Sequence, residues 1–319
     1  MATTDKRLDI SELDFDDIKT NLKTFLRNQT EFTDYDFEGS GMSSLLDLLS
    51  YNTHYLSMNA NLLANEMFID TASLRSSVVS HAKTLGYTPR SVRAPQATVD
   101  ITLNDTSVTT ATLARGTKFS TVVNDVTYNF LVNTARTKSR VDNVLTFDNV
   151  VLYEGSLITT RYTADSTNVD QRFIIPDSNA DTTTLTVSVQ NSSTDTTTTV
   201  FTLATDISQV SDTSNSYFLQ EIENGQFEVY FGDGVIGKAL TDNNIVILEY
   251  IVTNKSASNG ASTFTPPGSI SGSSDNSVAT VSTASGGAEA ENIQSIKLNA
   301  PLDYASQGRA VTTNDFKVM

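Results

Sequence analysis

The sequence contains no cysteine, which excludes disulfides, thiolate metal ligands and cysteine nucleophiles. Histidine is almost as scarce. The two histidines, His54 and His81, stand on separate predicted helices and lack the His-Glu-x-x-His spacing of a zinc site. A place on a helix surface or interface is favoured for both. We therefore expect no metal site and no cofactor.

Long apolar runs are also missing. No run approaches the ~18 residues of a membrane span, and the N-terminal segment MATTDKRLDISELDFDD lacks the apolar core of an export signal. Basic residues are few, because 21 Lys and Arg stand against 37 Asp and Glu, for a formal charge of -16. Such a field repels nucleic acid and anionic membranes. We expect synthesis in a cytoplasm, no nucleic-acid or membrane partner, and docking onto other proteins.

Residues 1–92 predict a helical arm. Apolar residues recur at helical spacing in DFDDIKTNLKTFLRNQ, which predicts a first helix. A second helix is expected from about Ser43 to about Phe68, and a third from about Thr71 to Leu85. Gly86 supplies the left-handed residue that closes the third helix, and Pro89 prevents a restart.

The second predicted helix carries apolar residues that repeat every seven positions. Sustained seven-residue spacing favours a supercoiled contact with another helix, in which Asn52 and Asn59 would set register and partner choice. The alternative is that the first and third helices cover this stripe within one chain. We expect the partner to be another chain. The candidate interface, called the heptad face below, consists of Leu45, Leu48, Leu49, Asn52, Tyr55, Leu56, Asn59, Leu62 and Leu63.

From Ala97 onward the apolar period changes to two, which predicts a β-rich, antiparallel domain over residues 93–284. Helical patterning returns after Gly287, and Pro301 is expected to end that helix. Thr312 and Asp315 form a T-x-x-D cap shortly before the chain stops. Residues 285–319 are thus predicted to start an α/β region that continues beyond Met319. The expected fold class is α+β with several domains.

The stretch FGDGVIGKAL, residues 231–240, fits the glycine spacing of a dinucleotide loop and most of a phosphate loop. Both need a following helix, but only ALTDNN separates Lys238 from the strand-like run IVILEYIV. A structural turn joining an antiparallel hairpin explains the pattern better, with positive φ at Gly232 and Gly234 and a short carboxylate between them. The predicted turn residues are Phe231, Gly232, Asp233, Gly234 and Gly237.

Other motifs give no signal for catalysis. Asp177, Asn179 and Asp181 alternate as in a calcium loop, but Thr182 replaces the required glycine and the closing glutamate is missing. No pair of carboxylates is singled out. We therefore expect no catalytic, cofactor or metal residues, and a protein that is not an enzyme.

Two stretches together resemble the baseplate J-like family. FGDGVIGKAL resembles its F-G-D-G hairpin, and SGGAEAENIQSIKLNAP followed by QGRAVTTNDF resembles its second signature. A helical N-terminus before a β-rich middle is similar to the wedge subunits of T-even-type contractile phages within that family. The sequence departs at Ala239 and Leu240, where many relatives have a proline.

The resemblance implies a structural role in the virion, at the tail baseplate. It implies assembly with a second copy and a smaller wedge protein through a helical bundle, in a ring around the hub. Sheath-initiator and hub or tube proteins are further implied partners. A tail adhesin or carbohydrate-binding virion protein, or a tail enzyme that cleaves cell wall, remains the alternative.

Overall fold

The computed structural model describes residues 14–306, apart from residues 30, 32–34, 37, 106, 142–144, 169, 206 and 223–224. Within these residues the chain forms four α-helices and fourteen β-strands. They divide into two compact units. One unit comprises the described residues up to Tyr87 and those from Ile293 onward, and the other is Thr88–Asn292.

The helical unit contains α1 (Phe15–Arg27), α2 (Gly41–Glu66), α3 (Arg75–Thr84) and α4 (Ile293–Ser306). The side chain of Asp14 caps α1 by accepting from the Asp16 amide at 2.8 Å. Ser40 caps α2 in the same way, accepting from the Ser43 amide at 3.0 Å. Gly86 follows α3 with φ +81°, as the sequence predicts.

The core of this unit lies between α3 and α4. Val78 and Ala82 of α3 are fully buried, as are Ile296 and Ala300 of α4. The sequence predicts a separate part over residues 285–319, whereas the structure places α4 with α3. Apolar residues four apart on each helix give both an apolar stripe, and the two stripes share one core. Pro301 was expected to end α4, and this is wrong.

Pro301 lies inside α4, which continues to Ser306. A proline removes one backbone hydrogen bond, but its φ is compatible with a helix, and the buried residues Ala300 and Ser306 anchor the helix on both sides. The predicted cap at Thr312 and Asp315 lies outside the described residues, as does the segment Arg309, Ala310 and Val311.

The second unit contains two main sheets and a ribbon. The strands of the first sheet are β1 (Gln96–Leu103), β3 (Lys118–Val123), β4 (Val126–Val132), β6 (Leu145–Glu154) and β14 (Asn276–Ser285). The ribbon is β2 (Thr110–Leu113) with β5 (Arg136–Ser139). The strands of the second sheet are β7 (Ser156–Thr163), β8 (Phe173–Ile175), β9 (Ala180–Gln190), β10 (Thr198–Leu203), β11 (Ser216–Glu221), β12 (Phe227–Phe231) and β13 (Ile245–Val252).

The first sheet has the order β14-β1-β6-β4-β3. Residues 260–265, which precede β14 in sequence, contact both outer strands of the sheet, β14 and β3. The Gly260 amide donates to the carbonyl of Ala284 in β14, and the Ala284 amide donates to the carbonyl of Ala261. Thr265 exchanges backbone hydrogen bonds with Ser120 of β3. Phe264, between these contacts, packs edge-on against Phe130 with ring centroids 5.0 Å apart. The segment therefore covers part of each sheet edge and contributes to one core.

The second sheet has the order β7-β13-β9-β10-β11-β12-β8. Its described pairs are antiparallel except β10 with β11, which are parallel. The connection between these two strands includes a short 3₁₀ helix, Ile207–Gln209, and is long enough for the chain to cross over before pairing. The β-rich domain is thus antiparallel, as predicted, with this one exception among the described strands.

The predicted hairpin between FEVYF and IVILEYIV is wrong. These segments are β12 and β13, and β9, β10 and β11 lie between them in the sheet. The reason is burial. Most of β13 is buried, so it needs long neighbours on both sides, and β7 and β9 supply them.

Candidate functional site

The helix α2 presents two different sides. Its buried residues are Ser43, Leu46 and Ser50, and a salt bridge of 2.6 Å joins Asp47 on the same side to Lys19 of α1. Among the described elements of its unit, α2 packs mainly against α1. The two buried serines add little volume to this side of α2, which favours close packing against it.

The heptad face lies on the other side of α2. At about 100° per residue, its mean direction is roughly 160° around the helix axis from that of the buried residues. All nine of its residues are exposed. The exposed fraction of the side chain is 63% for Leu48, 61% for Leu56 and 71% for Leu63. In the part of the chain that the structure describes, neither α1 nor α3 covers this stripe.

The apolar surface of α2 extends beyond the residues that the heptad pattern identifies. Tyr51 and Met58 are also exposed, at the side of the heptad face. The rings of Tyr51 and Tyr55 contact each other with centroids 4.8 Å apart. Tyr51 and Met58 are seven residues apart, each one position before Asn52 or Asn59 of the heptad face. This repeat of the heptad interval was the sequence signal that could have identified them.

The FGDG turn is held by one carboxylate. Oδ1 of Asp233 accepts hydrogen bonds from the amides of Val235 at 2.9 Å and Ile236 at 3.0 Å. These two bonds, that of Ile236 first, lower the pKa of Asp233. Gly234 and Gly237 have φ of +87° and +84°, and the Gly234 amide donates to the Gly237 carbonyl at 3.0 Å.

Gly232 has a different reason to be glycine. Its φ is not among the positive values, which corrects the expectation of positive φ at this position. A Cβ there would lie 2.2 Å from the carbonyl oxygen of Ile236 and 2.4 Å from that of Gly237. The turn therefore folds its end back onto its start, and only a residue without a side chain leaves room.

Two carboxylates of the calcium-like segment accept hydrogen bonds from backbone amides. Asp177 accepts from the amide of Asn179 at 2.8 Å, and Asp181 accepts from the amides of Ala94 at 2.8 Å and Thr183 at 2.9 Å.

His81 donates from Nε2 to the carbonyl of Glu66 at 2.9 Å. Within the described ranges, no cluster of three metal-ligating side chains occurs. No helix among those residues has the length and apolar character needed to cross a membrane.

The comparisons with known proteins point to one class. Residues 14–87, which contain the heptad face, match the family "Baseplate wedge protein gp6-like, helical domain". This chain is related to baseplate wedge proteins, as the sequence resemblance predicts, and the family match is confined to residues 14–87.

A particular relative is "Baseplate wedge protein gp6" of Enterobacteria phage T4, to which the chain is 31% identical over 328 aligned residues. The alignment covers 95% of this chain and 48% of the T4 protein, so the chain spans about half the length of this relative. The chain also matches a chain of a solved structure, "Cryo-EM structure of the anti-feeding prophage (AFP) baseplate, 6-fold symmetrised", at 12% identity. The match covers 98% of this chain and 64% of that chain. Its TM-score of 0.33 is too low to support any conclusion.

Proposed function

We propose that this chain is a structural subunit of the baseplate wedge in a contractile phage tail, located in the virion and without enzymatic activity. The observation that carries the proposal is the heptad face. It is apolar, exposed and directed away from α1, and it lies within the segment that matches the helical domain of baseplate wedge proteins. An apolar stripe of this length on a helix is typical of a surface buried by partner helices.

The proposed partners at the heptad face are a second copy of the chain and a smaller wedge protein, joined in a helical bundle. Leu49, Leu56 and Leu63 recur every seven residues, and each leucine that becomes buried stabilises the contact by about 1.5–3 kcal/mol. Asn52 and Asn59 also recur at seven, and buried asparagines in such positions restrict register and partner choice. Ring contacts around the hub, and contacts with sheath-initiator and tube proteins, are proposed for the whole protein.

The test is co-expression of the full-length protein with the small wedge protein, followed by light scattering to measure the mass of the complex. We expect a complex of two copies with one small partner. Leu56→Glu places a charge in the heptad face and is expected to abolish the complex. Thr53→Glu is the matched control, because Thr53 is exposed on the same helix but about 105° away from the centre of the face. It is expected to leave the complex intact.

Circular dichroism separates a lost contact from a lost fold. The proposal requires that Leu56→Glu retain the β-sheet signal of the wild type. A monodisperse monomer that does not bind the small wedge protein would contradict the proposal and favour a tail adhesin. Equal loss of the complex in Thr53→Glu would show that α2 does not act through the heptad face.

A further inference from the structure

A cavity of about 250 Å³ lies beside the FGDG turn, in the β-rich unit. Its walls come from the loop after β7 and the segment after β12. Phe173 and Phe231 form part of its apolar lining, with ring centroids 5.6 Å apart, and Leu240 adds to it. Phe173 is buried, so one end of the cavity has a rigid apolar wall.

The polar part of the lining is acidic and amidic. Asp165 and Asp233 line the cavity together with Asn168 and Gln171. Among the described residues that line it, none is lysine, arginine or histidine. Arg172 follows Gln171 in sequence, but its guanidinium lies over the ring of Tyr230 at 4.2 Å and within 3.9 Å of Glu228. It lines an adjoining depression with Tyr230 and Phe218, and that depression shares Gln171, Phe231 and Asp233 with the cavity.

Both aspartates are held in place with their charge intact. Oδ1 of Asp165 accepts from the hydroxyl of Thr167 at 2.6 Å and from its amide at 2.9 Å. These bonds, that of the hydroxyl first, lower the pKa of Asp165. Asp233 is bound by Val235 and Ile236 and has a lowered pKa for the same reason. In each case Oδ2 has no hydrogen-bond partner among the described residues.

A cavity with an apolar wall and two oriented carboxylates fits a side chain that has an apolar stem and a cationic head. Arginine has this construction, and its planar guanidinium also stacks on aromatic rings. We propose that this cavity is a docking site for an arginine side chain displayed by a partner protein. The stem packs against Phe173, Phe231 and Leu240, while the guanidinium donates to Asp165 and Asp233. This site does not depend on assembly through the heptad face.

The probe is the capped tripeptide acetyl-Gly-Arg-Gly-amide, titrated into the intact protein and followed by amide chemical shifts in NMR. The matched probe carries citrulline in place of arginine, which keeps the shape and removes the charge. We expect the arginine peptide to shift resonances of residues around the cavity, and the citrulline peptide to bind at least about fivefold more weakly. Binding is expected to weaken as salt is raised, since both aspartates are exposed to solvent.

Two variants assign the binding to the aspartates. Asp233→Asn and Asp165→Asn each keep an acceptor for the backbone amides and remove one charge, so each is expected to fold and to bind the arginine peptide about threefold to fivefold more weakly. Asp105→Asn is the control, because Asp105 accepts from Ser107 in the same way, at 2.9 Å from the amide and 2.7 Å from the hydroxyl, but does not line the cavity. It is expected to bind like the wild type.

Three results would overturn the proposal. The first is the absence of shifts around the cavity with the arginine peptide. The second is equal binding of the citrulline peptide, which would show that charge plays no part. The third is an equal loss of affinity in Asp105→Asn, which would assign the effect to net charge rather than to this site.

Discussion

The carboxylate of Glu66, at the end of α2, binds Ser73 at the start of α3. Oε1 accepts from the hydroxyl of Ser73 at 2.6 Å and from its amide at 2.8 Å, and the amide of Leu74 also donates to it at 3.2 Å. Leu74 is the N-cap residue of α3 and provides no side-chain cap. A side chain from the preceding helix therefore caps α3 and fixes the turn between the two helices.

Replacing Glu66 with glutamine tests this cap. Although burial raises the pKa of Glu66, the hydrogen bonds from Ser73, Ser77 and Leu74 outweigh it and lower the pKa from 4.5 to about 2. Since the pKa is lowered in the folded state, the stabilisation is present above pH ~4.5 and is lost as the pH falls towards ~2. Glu66→Gln is expected to reduce the free energy of unfolding by about 1 kcal/mol at neutral pH.

Urea unfolding followed at several pH values checks this prediction. The difference between wild type and Glu66→Gln is expected to shrink as the pH falls below ~4.5. Asp70→Asn is the control, because Asp70 lies in the same turn and no hydrogen bond to its carboxylate is recorded among the described residues. A constant difference at all pH values would contradict a role for the charge of Glu66.

Replacing Ser50 with alanine is expected not to reduce the free energy of unfolding, in contrast to Glu66→Gln. Its hydroxyl is fully buried in α2 and has no hydrogen-bond partner among the described residues. A buried hydroxyl without a partner is destabilising, so Ser50→Ala is expected to leave the stability unchanged or raise it by up to about 1 kcal/mol. Ser50→Leu is expected to lower it, because the larger side chain does not fit at a fully buried position. Thermal unfolding of the two variants compares them directly, and a clear loss of stability in Ser50→Ala would show that the hydroxyl of Ser50 is not destabilising.

Gly232 and Gly234 are expected to respond differently to substitution by alanine. At Gly232 the added methyl group meets backbone atoms at 2.2 and 2.4 Å, which a side-chain rotation cannot relieve, so a loss of about 2 kcal/mol or more is expected. At Gly234 the nearest atom is 3.7 Å away and only the positive φ of +87° opposes the change, for a loss of about 1 kcal/mol.

Gly268→Ala is the control for this pair, since Gly268 has open space around its Cα and no positive φ. Denaturant midpoints of the three variants give the order of stability. A Gly234 variant less stable than the Gly232 variant would show that the close approach at Gly232 does not limit the turn.

Glu154 is expected to be sensitive to the loss of a single acceptor. It is buried, and its carboxylate accepts from the hydroxyl of Thr253 at 2.7 Å and from the side-chain amide of Asn254 at 2.7 Å. In Glu154→Gln one acceptor becomes a donor that faces a donor of Asn254, with an expected loss of about 1–3 kcal/mol. Adding Asn254→Asp restores an acceptor, and a double-mutant cycle is expected to show partial recovery. No recovery would indicate that Asn254 does not oppose the new donor.

Much of the local structure follows from the sequence. Helical spacing and capping residues identify α1, α2 and α3 within a few residues, because a helix closes its hydrogen bonds within its own segment. Period-two alternation from Ala97 onward identifies the β-rich domain, because successive side chains of a strand point to opposite faces. The residues of β5 are all exposed and carry no apolar alternation, so the sequence does not mark this strand. The residues of the heptad face could also be identified from the sequence, since the pattern depends only on spacing along one helix.

Which strands pair and which helices pack together was decided by the tertiary structure. The sequence indicates two strands on either side of the FGDG turn, but β13 pairs with β7 and β9 because its burial requires long neighbours on both sides. Likewise α4 packs on α3, some two hundred residues earlier in the chain. The cavity beside Phe173 and Phe231 forms from two loops that are distant in sequence. Periodicity records which face of an element is apolar, whereas the surface that covers it depends on long-range contacts that the whole chain must satisfy together.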